Sequence, residues 1–298
     1  MRKLVGAVVV AVILAGCDPQ PVFKSGFEGV QMGEPYEAPG AQWAQQIVGT
    51  DVVSGFTWPD DLPGESDGNR PLVSVTSSLS DYTQLYVTSF LGSDGEPTNA
   101  LLSIILGDDP TFQALSRNNM ILRPAPSTLH EYYLAWDLWL QPNLLELASE
   151  GGDFFWLGEA EVKHHVDPAG ERFRAGLAIC WTQTNGLHWR MESENGVASH
   201  NWVYRKIDTG VAVKLGEWMR IEWYLKQHPT GGRWIISIDG NVLGDHSGQT
   251  MVEGLYVDKL NLTKHYLDSS EVSSTNPAYQ YIDNLELWAD ADALEQLD

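Results

Sequence analysis

From Leu72 to Trp288 the chain keeps returning to strict alternation of apolar and polar residues, punctuated by short clusters of Gly, Asp, Asn and Ser. Alternation of period two sends successive side chains to opposite faces of an extended strand. The runs Leu72–Leu79, Gln84–Leu91, Leu101–Leu106, Tyr132–Leu140, Phe154–Val166, Arg174–Thr182, Leu187–Ser193, Trp218–Lys226, Trp234–Ile238, Tyr256–Thr263 and Tyr279–Trp288 are read as strands. Turn residues separate them at Ser80-Asp81, at Ser93-Asp94-Gly95, and at Asp239-Gly240 or Gly240-Asn241, the last a two-residue hairpin signal. Residues 27–70 are rich in Gly, Pro and Asp and predict long loops with one or two short strands. One short helix is expected over Gln141–Glu150, with Pro142 tolerated in its first turn. Many strands without a βαβ rhythm predict an all-β fold, an antiparallel β-sandwich.

The beginning of the chain obeys a different rule. Arg2 and Lys3 precede an apolar run from Leu4 to Leu14, which is shorter than the roughly 20 residues of a membrane span. Its length fits the core of an export signal. Leu14-Ala15-Gly16-Cys17 then resembles the bacterial lipobox. That resemblance implies cleavage before Cys17, lipidation of its thiol, and attachment to a membrane through several acyl chains. The expected organisation is a lipoprotein signal peptide (1–16), a lipidated cysteine and tether (17–26), a sandwich (27–290) and an acidic tail (291–298). The expected location is the extracytoplasmic side of a membrane, periplasm-facing or at the cell surface. Asp18 resembles an inner-membrane retention signal of enteric bacteria, and the choice of membrane stays open.

Charge narrows the partners. The 298 residues carry 18 basic and 40 acidic side chains, a formal net charge of −22. Loss of Arg2 and Lys3 with the signal leaves 16 basic residues and a charge of −24. Nucleic acid is a poor partner for such a field, and a polyanionic ligand requires a local basic patch. With Cys17 lipidated, the second of the two cysteines, Cys180, has no disulfide partner; its apolar neighbours predict a buried thiol.

Several segments resemble the concanavalin A-like lectin/glucanase superfamily of jelly rolls. Gly216-Glu217-Trp218-Met219-Arg220-Ile221-Glu222-Trp223-Tyr224 is similar to one of its strands, and Gly232-Arg233-Trp234 with Ile238-Asp239-Gly240 to the strand and hairpin that follow. Tyr281-Ile282-Asp283-Asn284-Leu285-Glu286-Leu287-Trp288 resembles the closing strand, and Ser25-Gly26-Phe27-Glu28-Gly29 the opening. The resemblance implies the jelly-roll form of the sandwich and a ligand lying on its concave sheet. It covers lectins, glycosidases, lyases and non-catalytic domains alike, so it names no activity.

Alternation offers candidate sites. His188, Arg190 and Glu192 fall on the side of their strand opposite Leu187, Trp189 and Met191, so they either grip a sugar or form solvated cross-strand ion pairs. Glu159, Glu161 and Lys163 are expected on one side of the preceding strand, where paired carboxylates suit glycoside hydrolysis. The two-Glu-around-Asp pattern typical of jelly-roll glycosidases is absent, since Ala160 separates the pair. Sandwich lyases carry Gln-x-His and Tyr-x-Lys-x-Tyr strands; the nearest matches are Tyr204-Arg205-Lys206 and Lys264-His265-Tyr266. Their resemblance implies Tyr204 or Tyr266 as base, with His188 and Arg190 neutralising a uronate carboxylate. Trp202, in a polar stretch, is the tryptophan expected to be exposed for stacking, ahead of Trp181, Trp189 and Trp223. Glu28 and Asp283 sit in the opening and closing motifs, where related sandwiches bridge strands with calcium. His164 and His165 point to opposite faces of a strand and cannot share a metal ion without a bulge.

The reading that results is a membrane-anchored polysaccharide-binding sandwich. Its alternatives are a polysaccharide lyase acting by β-elimination on a uronate-containing glycan, and a structural envelope lipoprotein without a sugar ligand.

Overall fold

The structure, a computed structural model, describes residues 20–38, 42–63, 73–77, 81–107, 116–122, 129–150, 154–163, 173–195, 201–207, 210–254, 259–268 and 272–289. Its strands, in chain order, are β1 (Phe23–Ser25), β2 (Gln31–Met32), β3 (Tyr36–Ala38), β4 (Gln42–Gln45), β5 (Ile47–Thr50), β6 (Thr57–Trp58), β7 (Val73–Ser77), β8 (Thr83–Leu91), β9 (Pro97–Ile105), β10 (Ser116–Leu122) and β11 (Glu131–Leu140). After the helix α1 (Leu144–Glu150) follow β12 (Phe154–Lys163), β13 (Phe173–Thr182), β14 (Gly186–Asn195), β15 (Trp202–Ile207), β16 (Trp218–Lys226), β17 (Gly232–Ile238), β18 (Asn241–Gly248), β19 (Lys259–Asp268) and β20 (Ala278–Ala289).

Two large antiparallel sheets pack face to face. One runs β18-β17-β16-β11-β20-β9-β8, with β1 added along β20, and the other β15-β14-β13-β12-β19-β10-β7-β4-β3. A small third sheet joins β2, β5 and β6. The expected all-β antiparallel sandwich is therefore the observed architecture. Asp239 (φ 50°) and Gly240 (φ 73°) both take the left-handed conformation between β17 and β18, as a two-residue hairpin turn demands.

The inner faces of the two sheets make one core. Trp136, Ile221, Trp223, Trp234 and Leu285 come from the eight-stranded sheet, and Leu177, Ile179, Trp189, Met191 and Leu262 from the nine-stranded one. Each such side chain stabilises the fold by about 1.5–3 kcal/mol on burial. Trp189 and Trp223 are core residues, and Trp181 packs half-buried against them. Cys180 is buried, and burial pushes its thiol up to about 11.

The sandwich begins earlier than the alternation indicates. Phe23–Ser25, expected in the tether, pairs with β20 from Phe23↔Leu287 to Ser25↔Leu285. Asp51 pins the following loop, accepting hydrogen bonds from Ser25 Oγ (3.0 Å) and from the backbone N–H of Gly26, Glu28, Val53 and Ser54 (2.8–3.2 Å). Burial pushes the Asp51 carboxyl up, but the hydrogen bonds from Ser54, Ser25 and Val53 outweigh it and hold it below its ordinary value.

Candidate functional site

The site grows out of the outward face of the nine-stranded sheet. Phe173, Ala175, Leu177 and Ile179 of β13 enter the core, so Arg174, Gly176, Ala178 and Cys180 look outward. Register then builds rows across the strands. Lys163, Arg174 and Glu194 share one level, Asn261, Glu161, Gly176, Glu192 and Arg205 the next, and Gly158, Ala178 and Arg190 the third; Cys180 faces His188 above them. Gly158, Gly176 and Ala178 lack bulk, so the rows dip into a shallow groove. Glu161, Arg174, Glu192, Glu194 and Trp202 complete its lining.

Ion pairs lace the walls. Arg174 Nε lies 3.4 Å from Glu161 and 3.1 Å from Glu194, while Lys163 Nζ lies 3.3 Å from Glu161. Asn261 Nδ2 donates to Glu161 Oε2 at 3.0 Å. Arg190 donates to Glu192, and Arg205 Nε reaches the same Oε2 at 3.6 Å. Both guanidinium groups flank the Trp202 indole, Arg205 at 4.9 Å and Arg190 at 5.8 Å from the ring centroid, within cation–π range. Arg205 is the most open of the two, with 39% of its side chain exposed against 12% for Arg190. His188 is buried and its Nδ1 lies 2.9 Å from the Gly186 carbonyl oxygen. A carbonyl only accepts, so Nδ1 carries the proton and Nε2 holds the lone pair in the neutral ring.

Two expectations about this face are corrected. Glu159 does not share a side with Glu161 and Lys163, because a bulge between Gly158 and Ala160 inserts it as an extra residue opposite β13. Its side chain turns into the core, 1% exposed and facing Gln280 of β20. Burial raises its carboxyl well above the ordinary range, opposed weakly by Gln280. Glu159 Oε1 and both Gln280 amide atoms lack hydrogen-bond partners of good geometry. The carboxylate pair proposed for hydrolysis is thus split between the two sides of the sheet. Tyr204 is the second correction. It pairs with Ser193 and shares the inward side with it, its ring 6.2 Å from Trp234 and 5.0 Å from His246. A half-buried base on this inward side cannot act with His188 and Arg190 on the opposite face. The side chain of Tyr266 lies outside the described residues; its backbone sits opposite Gly158 and Arg117. Cys17, His164 and His165 also fall outside them.

Glu28 and Asp283 do meet. Thr98 Oγ1 is 3.0 Å from Glu28 Oε1 and 3.3 Å from Asp283 Oδ2, and Asn99 donates to Glu28 through its backbone (2.7 Å) and Nδ2 (3.0 Å). Burial, with Asp137 and Glu28 adding repulsion, pushes Asp283 up to about 7. Among the described residues no group of three or more His, Cys, Asp or Glu gathers as a metal set. Calcium takes six to eight oxygens, of which these two carboxylates would supply at most four.

The outward face of the eight-stranded sheet is closed by contrast. The end of the β8–β9 hairpin folds across it. Phe90 stacks on Tyr281 (3.8 Å between centroids, 11°) with Trp139 at 5.1 Å and Trp218 at 5.9 Å. The Trp218 indole donates to the Leu91 carbonyl at 2.7 Å. Polar side chains farther along this face satisfy one another: Arg220 with Asp137 and Glu286, Tyr133 and Ser237 with Glu222, Tyr224 with Glu131, and Arg233 with Asp245.

Single-strand alternation did not single out Arg174, Arg205, Asn261 or the small floor residues. The signal in the sequence is Arg174-x-Gly176-x-Ala178 opposite an apolar set, which marks a shallow outward row on a central strand.

No protein-family model and no curated protein sequence matches the chain. Solved structures do. The endo-β-1,4-glucuronan lyase of the fungus Trichoderma reesei superposes with a TM-score of 0.50 at 13% identity, covering 73% of this chain and 92% of that one. The alginate lyase Aly36B gives 0.48 at 15% identity, covering 68% and 82%. Alginate lyase vAL-1 from a Chlorella virus gives 0.47 at 11% identity, covering 70% and 90%. The structural neighbours include sandwich-fold polysaccharide lyases, and at these identities the likeness is one of fold.

Proposed function

We propose that this chain is a lipid-anchored, extracytoplasmic protein that binds an acidic polysaccharide in the groove of its nine-stranded sheet. One observation carries the reading. In a chain with 18 basic and 40 acidic residues, Lys163, Arg174, Arg190 and Arg205 converge on three carboxylates, Glu161, Glu192 and Glu194, giving a local net charge of +1. That is the basic patch a polyanion requires. The groove adds a floor without side-chain bulk and an indole edge for a sugar ring. A uronate carboxylate competes with Glu192 for the Arg205 guanidinium, the more exposed of the two on that carboxylate. Gel retardation on alginate and glucuronan, set against neutral glucans, tests the reading. Retention on the polyuronates that weakens with salt is expected; equal mobility on both classes would overturn it.

A second reading is β-elimination. His188 and the likeness of fold to a glucuronan lyase favour it. Its Nε2 lone pair is the form a general base needs, and Arg190 stands two residues along the same strand, one row below, to neutralise a carboxylate. Against it, His188 is only 5% exposed, so binding is the leading function. Incubation with alginate, glucuronan and glycosaminoglycans followed at the ultraviolet band of unsaturated uronates decides. A rising trace abolished by His188→Ala supports the lyase, and a flat trace on all substrates dismisses it for them. Calcium at Glu28 and Asp283 is a subsidiary proposal, dismissed by a melting temperature that chelation leaves unchanged.

A further inference from the structure

The tether fixes more than location. Five residues lie between Cys17 and Phe23, so over six Cα steps the lipidated cysteine lies within about 20 Å of β1. Beta-strand β1 does not enter the sandwich at an arbitrary place. It pairs with the last residues of β20, and the Val22 N–H extends the ladder to the Leu287 carbonyl at 2.8 Å. The end of β20 is also where β11 starts, β16 finishes and β17 starts, since Tyr132 faces Ala289, Glu131 faces Lys226 and Lys226 faces Arg233. The second sheet shares this end. Gly232 faces Gly248, and Asn195 Nδ2 donates to Gln249 Oε1 at 2.7 Å, which places the Arg174–Glu194 level beside the β16–β17 turn.

We infer that this end of the sandwich, built around the Gln227–Gly231 turn, faces the lipid surface and that the groove opens sideways just above it. The inference rests on the lipid-anchor reading. The groove floor on β13 runs from Arg174 to Ala178, about 13 Å of strand at 3.3 Å per residue. With the tether extended, the floor therefore stands within about 35 Å of the anchored cysteine. The groove crosses four neighbouring strands, β12 to β15, so it lies along the membrane surface while the strands stand up from it. The partner that this geometry fits is a bilayer below, with a glycan running parallel to it. The acidic segment 290–298 follows β20 directly. Its four carboxylates add negative charge after β20.

Cys180 is 1% exposed, so an introduced surface cysteine is the one a dye labels. The full lipidated chain carrying Thr230→Cys (the lower turn) or Val242→Cys (the far end of β18, 57% exposed) is reconstituted into vesicles of phosphatidylethanolamine and phosphatidylglycerol containing an acceptor lipid. Because β17 separates the two positions by about 23 Å, energy transfer from position 230 is expected to be about twofold stronger. Co-flotation with vesicles but equal or reversed transfer overturns the orientation alone. Failure to co-float overturns the anchor and the orientation with it.

Discussion

The two outward faces of the sandwich are built from similar residue types and arrive at opposite results. On the eight-stranded sheet, charged side chains find partners within the face, and the β8–β9 hairpin lays Phe90 over Trp139, Trp218 and Tyr281. On the nine-stranded sheet the floor is Gly158, Gly176 and Ala178, and the cations stand around a space. Charged residues on a strand therefore do not identify a binding face. What separates the two is whether small residues leave room between the charges and whether another segment covers them.

The largest effect should come from stripping that room of its cations. The double variant Arg190→Ala/Arg205→Ala should weaken polyuronate binding about a hundredfold, taking about 1.5 kcal/mol for each charged hydrogen bond to a carboxylate. Isothermal titration on wild type and variant reads this directly, and unchanged affinity sinks the groove as the site. Filling the floor sharpens the contrast further. A Cβ at Gly176 would meet only the Ala160 carbonyl oxygen, at 3.5 Å, so the strand tolerates a side chain there. Gly176→Leu should keep the melting temperature while costing about tenfold in affinity, roughly 1.4 kcal/mol; a variant that melts early but binds normally contradicts this.

On the closed face the expected loss is of stability, not of binding. Phe90 is half-buried, so Phe90→Ala should cost about 1–3 kcal/mol, less than the 3–5 kcal/mol of a fully buried ring. Denaturant titration measures it, and polyuronate affinity should stay where it was. The last effect lies between the sheets and depends on pH. Glu159 has its carboxyl raised well above 4.5 by burial. The folded state therefore holds the proton more tightly than the unfolded chain. Its contribution is full below pH 4.5 and is lost as pH rises toward the folded value. Glu159→Gln has no proton to lose. Its stability relative to wild type should grow with pH above 4.5, by at most about 1.4 kcal/mol per pH unit. Parallel melting curves for the two proteins from pH 5 to pH 8 would show that Glu159 is not held neutral.

The division between what sequence reveals and what it hides follows the same physics. Central strands such as Trp218–Lys226 are legible because both the apolar spacing and the turns around them are local. Strands β10, β15 and β18 escape notice. Asn118 and Asn119 interrupt the apolar pattern of the first, yet Asn118 is buried because its amide donates to the Gln84 and Ile104 carbonyls and to Ser103. In β15 a register shift between Ser193 and Glu194 precedes Tyr204, so its side of the sheet depends on the neighbouring strand. Alternation finds the His188, Arg190 and Glu192 row because β14 pairs with β13 without interruption. It cannot find Arg174 or Arg205, whose roles come from which strands lie side by side.

The irregularity at Gly158–Ala160 reaches beyond Glu159. Between Gly158 and Ala160 the facing strand β19 advances from Tyr266 to Leu262, and β10 slips against β19 between Asn118 and Met120. Three adjacent strands thus lose step at one level, and extra residues make strands bend. The crease borders the groove floor, so the hollow is moulded by main chain before any side chain is chosen. Such a mould can keep its shape while the residues lining it are exchanged, and a change of sugar preference would need no change of scaffold.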